Sequence, residues 1–485
     1  MADAAPTTAN SATDPQQNPN PNPLAGVDPT WAWAEYRPEG GNTADASRPW
    51  NRELAAHLYR RAGFAGSSGQ LEEAVVAGCQ ATVDRLMAGD LNHGQETGEF
   101  YVQAARSAES LLGSGNPQQL AAWWLHVLIH TPHPLRERMT LFWHGHFATS
   151  AAKVTDVRMM YAQNVILRNN ALGRFAPLLD QVSKDPAMLV WLDSTTNHKA
   201  HPNENFAREV MELFCLGIGN YSEHDIKEAA RAFTGWELRQ SEFRFNRYQH
   251  DPGQKTVLGQ TGAWTGDDVL RILLQQPATA RFLVRKLFRY FVSETADPSP
   301  ALIEPLAAGL RENDYDLAWL VRKLLTSNLF YSRHAVRQRV KGPVELAVGL
   351  LRSLEASANA YALHDELKKL GQGVLFPPNV KGWDGGTAWI NSSTLVGRAN
   401  LVWAIVNGEG QMRTRFAPDK LAALEGADQP AVVATRVEEL LLACPLPDQV
   451  QVQLASIAAA DDGSPRQRLV RLVHAVATLP EYQLG

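Results

Sequence analysis

The sequence predicts a mainly α-helical protein, a single large multi-helical body with little or no β structure. Three observations predict it. From Trp50 onward apolar residues recur at spacings of three and four, as in Leu54, Leu58 and Ala62, then Leu71, Ala74, Val75 and Cys79. Alternating strand patterns are scarce, the best lying at 242–248, which reads as one small hairpin. The chain of 485 residues is 45% hydrophobic and 20% charged, enough apolar material for a large core.

Residues 1–47 read as a disordered tail rich in Pro, Ala and Asn, because residues 1–29 carry six prolines and no aromatic side chain. Within it, Trp31-Ala-Trp33-Ala-Glu-Tyr36 begins to look like a segment that docks on something. The helical body spans 48–405. It contains an apolar helix from Gln118 to His130, ended by Thr131-Pro-His-Pro134, and a second helix starting near Leu135. Further helices are expected at about 153–170, 203–215, 223–233, 266–275, 278–292, 299–312, 315–327 and 340–355. Asn203 and Ser222 serve as N-caps and Gly217 as a stop. Loops rich in Gly and Pro occupy 250–266 and 371–394, and the second is long enough to carry function. Residues 406–485 form a helical C-terminal extension.

Lys and Arg number 46 against 51 Asp and Glu, giving a net charge of −5, which does not suit non-specific nucleic-acid binding. Cys79, Cys215 and Cys444 are far apart and lack zinc spacing, so free buried thiols are expected. No apolar run is long enough to span a membrane. The first basic residue is Arg37 and no apolar stretch follows Met1, so the chain as written reads as cytoplasmic. Nucleotide-binding glycine motifs and GxSxG are both absent.

The densest chemical candidate is Phe142-Trp143-His144-Gly145-His146-Phe147. Imidazoles at i and i+2 share a side only in extended chain, so chelation by both requires Gly145 to end or distort the helix. A second candidate is Asn203-Glu-Asn-Phe-Ala-Arg-Glu-Val-Met-Glu212. There Asn205, Arg208, Glu209 and Glu212 form one polar stripe, with Glu204 beside it. On an ordinary surface helix Arg208 and Glu212 would simply pair. Facing a cavity, Glu209 and Glu212 would ligate a metal or act as acid and base, and Arg208 would hold an anionic group. His250-Asp251 in a Gly/Pro turn and Asp193 are further polar candidates. His126 and His130 match half of a zinc helix but lack the HExxH glutamate. Arg333, Arg337 and Lys341 recur every four residues as a local basic face.

Several segments together resemble the bacterial family catalogued as domain of unknown function 1800. They are Arg60-Arg-Ala-Gly-Phe64, Phe142-Trp-His-Gly-His-Phe-Ala-Thr-Ser150, Asp185-Pro-Ala-Met-Leu189 and Asn203-Glu-Asn-Phe-Ala-Arg-Glu209 with Glu212-Leu-Phe-Cys-Leu-Gly217. Ala230-Arg-Ala-Phe-Thr-Gly-Trp236, Lys341-Gly-Pro-Val-Glu345 and Pro377-Pro-Asn-Val-Lys-Gly-Trp383 with Trp389-Ile-Asn391 follow. The resemblance implies a largely helical fold and no established reaction. Many relatives look exported and are encoded beside sulfatase-like proteins, which such a partner here would match. It also raises the expectation that His144, His146, Glu204, Asn205, Arg208, Glu209 and Glu212 share one buried site. Such a site suits a metal-dependent hydrolytic or oxidative enzyme using zinc, iron or manganese. The alternative is a non-enzymatic binding or scaffold protein whose polar network is structural and whose Trp-rich grooves receive a partner or glycan. Trp143, Trp191, Trp236, Trp383 and Trp389 lie in or beside these segments, which places the excess of 13 Trp over 11 Tyr near the expected site.

Overall fold

The computed structural model describes residues 22–38, 49–91, 98–408, 410–415, 429–442, 444–460 and 463–485. Most of the expected tail, 1–21 and 39–47, lies outside the described residues. The part within them, 22–38, is docked rather than free. Its short helix α1 (Pro29–Trp33) places Trp33 Nε1 2.8 Å from the Leu302 carbonyl, and Leu24 and Tyr36 are buried. Three large apolar side chains in this short stretch supply the burial that the first residues lack.

The body is built from helices in the expected order. They are α2 (Arg52–Gly63), α3 (Ser68–Ala77), α4 (Cys79–Leu91), α5 (Glu99–Leu112), α6 (Pro117–His130), α7 (Pro134–His146), α8 (Val157–Asn169), α9 (Phe175–Ser183) and α10 (Pro186–Trp191). After them come α11 (Glu204–Glu209), α12 (Glu223–Ala232), α13 (Gly266–Gln275), α14 (Pro277–Phe291) and α15 (Pro300–Glu312). The series continues with α16 (Leu317–Leu325), α17 (Pro343–Ser353), α18 (Ala360–Lys369) and α19 (Ser392–Asn407). Three longer C-terminal helices, Pro430–Leu441, Asp448–Ala459 and Pro465–Thr478, share the same hydrophobic core. No helix among the described residues is long and apolar enough to cross a membrane.

Local chemistry sets the boundaries. Asn203 caps α11 through the Asn205 amide, and Ser222 with Asp225 forms a capping box on α12. Beyond α11 the chain does not continue as a regular helix. Val210–Cys215 is a π-helical segment ending at Gly217, whose φ of +78° few other residues tolerate. The expected hairpin exists, pairing β1 (Trp236–Arg239) with β2 (Glu242–Phe245). A second one, β3 (Lys255–Val257) with β4 (Gln260–Gly262), occupies the region expected to be a Gly/Pro loop. Both turn on two positive-φ residues, Gln240-Ser241 and Leu258-Gly259. Neither pair is the Asn-Gly signal of such turns, and the second pair of strands has only three residues each.

Trp124, Trp143, Phe147, Phe175 and Phe214 are fully buried at the centre of the body, each contributing about 2–3 kcal/mol of hydrophobic stabilisation. Buried polar groups are tied into networks around them. Glu137 receives Arg168, Tyr101 Oη and Trp124 Nε1. Glu345 receives Arg138, Arg339 and the Gly342 amide. The two guanidiniums and that amide hold the Glu345 carboxyl below its ordinary range against the opposing effect of burial. Cys79 and Cys215 are buried free thiols, and Cys444 is partly buried.

Candidate functional site

A cavity of about 210 Å³ opens where α7, α14 and the start of α17 meet the 371–394 loop. Helix α7 contributes Phe142, Gly145 and His146, and α14 contributes Lys286, Arg289 and Tyr290, with Glu294 just beyond its end. Arg339 and Glu345 form the floor. The loop supplies Gln372, Lys381, Trp383, Asp384 and Trp389. This is the loop whose length marked it as functional, and it forms a wall of the cavity.

The loop is fastened to α7 by the His144 segment. Helix α7 runs straight through Gly145 to His146, so the expected break at Gly145 does not occur. Instead the glycine makes room. Gly382, at φ +78°, lies so close that a Cβ there would fall within 3.0 Å of the Gly145 carbonyl oxygen. Nearby, the Leu375 amide donates to His144 Nε2 at 3.2 Å, and the Leu375 carbonyl accepts from the Ala151 amide at 2.9 Å. Leu375 itself sits at φ +65°, a strained backbone held by those two bonds.

On an unbroken helix the two histidines face different surroundings. The His144 ring lies between Trp124 and Trp383. His146 stacks on Phe142 and meets Phe147, Phe214 and Phe282. Its Nε2 donates to the Phe214 carbonyl at 3.1 Å, in the last turn of the π segment, while its buried Nδ1 makes no hydrogen bond. Burial pushes both imidazoles down to about 3, so both are neutral and each has its Nε2 committed to the backbone.

The carboxylate stripe separates too. Arg208 pairs with Glu204 at 3.2 Å and with Glu223 at 2.8 Å, not with Glu212. Asn205 is exposed, and its amide serves the Asn203 cap. Glu212 accepts from Tyr221 Oη at 2.7 Å. Glu209 is half-buried. Burial and the Glu212 charge raise its pKa, while Arg208 and the cavity residue Lys381 oppose that rise. The His146 end of α7 therefore does meet the segment following Glu209, but through a backbone carbonyl rather than through the carboxylates. Among the described residues no group of three or more His, Cys, Asp or Glu side chains is placed to hold a metal ion.

None of the remaining candidates lines the cavity. Asp193 pairs with Lys153 at 2.8 Å. His250 Nδ1 bonds the Thr234 carbonyl at 3.0 Å, and Asp251 holds Arg231 at 2.7 Å, together tying the β3–β4 hairpin to α12. His126 and His130 lie side by side on an exposed face of α6. The expected basic face at 333–341 is not one, because the segment is not helical and Lys341 is buried against Tyr482.

Sequence reasoning missed Lys286, Arg289, Glu294 and Arg339. Lys286, Arg289 and Lys381 form no ion pair among the described residues. Burial and the adjacent Arg289 lower the Lys286 pKa. Glu294 Oε1 is held by Arg339 Nε at 3.1 Å, but among the described residues neither its buried Oε2 nor buried Trp383 Nε1 has a hydrogen-bond partner. A signal existed in part: Lys286, Arg289 and Tyr290 follow helical spacing on one face of α14, which also carries Arg281 and Arg285.

Neither a curated protein nor a solved structure matches the chain. One family profile does, described as protein of unknown function (DUF1800), over residues 57–484. That span takes in the cavity, its loop and the C-terminal helices, and the chain belongs to the DUF1800 family.

Proposed function

We propose that this protein binds a small anionic organic molecule, or the anionic end of a larger one, in the cavity between α7, α14 and the 371–394 loop. The observation that carries the reading is the unbalanced charge there. Among the described residues Lys286, Arg289 and Lys381 form no ion pair, with Lys381 near enough to Glu209 to lower its pKa. The acids Glu294 and Glu345 are engaged by Arg339 and Arg138, and Asp384 is the remaining acid of the lining. An anion between the cations relieves the repulsion and desolvation that lower the Lys286 pKa. Aromatic walls from Phe142, Trp383 and Trp389 suit an organic ligand better than a bare inorganic ion.

The test is isothermal titration of the purified protein with benzoate, citrate and phosphoserine as probes. Saturable binding of at least one probe is expected, weakening as salt rises and falling at least tenfold in Lys286→Gln. No binding tighter than about 1 mM, or equal binding by the variant, refutes the proposal.

A further inference from the structure

The charged groups that α14 and its end bring to the cavity follow an order that bears on the class of ligand, with Arg339 lining the cavity beside the last of them. Lys286 and Arg289 come first, Tyr290 follows, and Glu294 lies beyond the helix end. Along the chain Arg289 lies between Lys286 and Glu294, which stands three residues beyond the helix end. Lys381 approaches from the loop. The α14 cations therefore precede a carboxylate whose Oε1 is held by Arg339 and whose buried Oε2 has no hydrogen-bond partner among the described residues.

The loop is shaped around that carboxylate. Gly385 and Gly386 pass over it at φ +77° and +56°. A Cβ on Gly385 would lie 3.4 Å from Glu294 Oε1, and one on Gly386 would lie 3.8 Å from Oε2. Two side-chain-free residues in succession lay only backbone over the carboxylate, whose Oε2 is buried. Glu345, the other acid nearby, is already occupied by Arg138, Arg339 and the Gly342 amide. The remaining acid, Asp384, is exposed like the cations Arg289 and Lys381, which leaves Glu294 as the acid with a buried, unpartnered oxygen among the described residues. Glu294 is thus the acceptor that a ligand's donor would find.

Resting on the anion-binding reading above, we infer that the ligand is a zwitterion of amino-acid or dipeptide size. Its carboxylate meets Lys286, Arg289 and Lys381, and its ammonium meets Glu294 Oε2. Trp383 and Trp389, which line the cavity, flank the apolar side chain of the ligand. A purely anionic ligand leaves Glu294 Oε2 unsatisfied and places like charges in one small cavity. That asymmetry is what selects the zwitterion.

The experiment titrates the full chain with L-phenylalanine and glycyl-L-phenylalanine, then with their N-acetyl derivatives and their C-terminal amides. Binding of at least one free zwitterion is expected, with at least tenfold loss on acetylation and again on amidation. In Glu294→Gln, which keeps an oxygen for Arg339, the preference for the free amine over the acetylated form should vanish while carboxylate binding persists. If the N-acetyl forms, or galacturonate, bind as well as the zwitterions, the inference falls and anion binding stands. If none of these probes nor any simple anion binds, both fall. Because the ligand series is read on the unaltered protein, a variant that fails to fold does not shield the inference.

Discussion

The contact between Gly145 and Gly382 makes a sharp test, because the two glycines touch and yet should respond oppositely to alanine. At Gly382 a Cβ would overlap the Gly145 carbonyl oxygen and lie 3.2 Å from its carbon, and the backbone there has φ +78°. An ordinary carbon–oxygen contact needs about 3.3 Å or more, so the loop must retreat by roughly 1 Å. The left-handed conformation costs an L-residue about 1–2 kcal/mol, and overpacking adds about 1–3 kcal/mol. Gly382→Ala should therefore cost about 3 kcal/mol. With unfolding entropy near 2.1 cal/mol/K per residue over roughly 430 ordered residues, that is a fall in Tm of about 3 °C. At Gly145 the nearest atom to a new Cβ is a Trp383 ring carbon at 3.9 Å, an ordinary contact, and the residue is helical. Gly145→Ala should be neutral or stabilising by up to about 1 kcal/mol. Scanning calorimetry on both variants settles it. Equal destabilisation by the two, or a silent Gly382→Ala, refutes the account of how the loop sits on α7.

Three further outcomes follow from the buried groups. Glu345→Gln leaves Arg138 and Arg339 facing a neutral amide in the interior and should cost about 3–5 kcal/mol by denaturant titration. Asp185 is buried beside Gln163, and desolvation raises its carboxyl to about 7 from 3.8. A raised folded pKa means stability that is full below pH 3.8 and is lost as pH rises through 7. Asp185→Asn should therefore gain more than about 1 kcal/mol relative to wild type at pH 8 and little at pH 4, and the reverse trend would contradict the assignment. His144→Ala strands the Leu375 amide and should cost about 1–3 kcal/mol with faster hydrogen exchange at residues 374–376, whereas His144→Gln, which keeps an acceptor, should restore part of it.

How far the sequence discloses this molecule depends on the range of each interaction. Helices α12, α13 and α14 lie within a residue or two of their expected bounds, because caps at Ser222 and Thr265 and the three-and-four apolar spacing are local. The π segment was not legible, since nothing in Val210–Cys215 distinguishes it from an ordinary helical run. The docking of Trp31 to Tyr36 was visible in its aromatic content, but not its site near Leu302 and Thr326. The carboxylate stripe was read as one face of a regular helix, but Glu212 lies in the π segment beyond α11. What could not be seen is that Glu223, on the next helix, takes Arg208 from it. Glu294 and Arg339 escaped notice because their significance lies only in meeting across the fold.

The densest polar motif, Phe142–Phe147, acts as a joint in this fold. His144 and His146 are buried, neutral, and bonded to the backbone of the 371–394 loop and of the π segment. A histidine so used is a rigid, doubly specified spacer: it costs little to bury when neutral and its hydrogen bond fixes an otherwise strained neighbour such as Leu375. The groups that retain uncommitted charge lie one layer outward, on α14 and on the loop those joints hold in place. Disturbing the joints should therefore alter ligand affinity only through the position of Lys381 and Trp383, whereas changing Lys286 should alter it with the fold intact. Measuring melting temperature and affinity together on His144→Gln and Lys286→Gln separates the two kinds of residue. A fall in both for the first and in affinity alone for the second is the expected pattern.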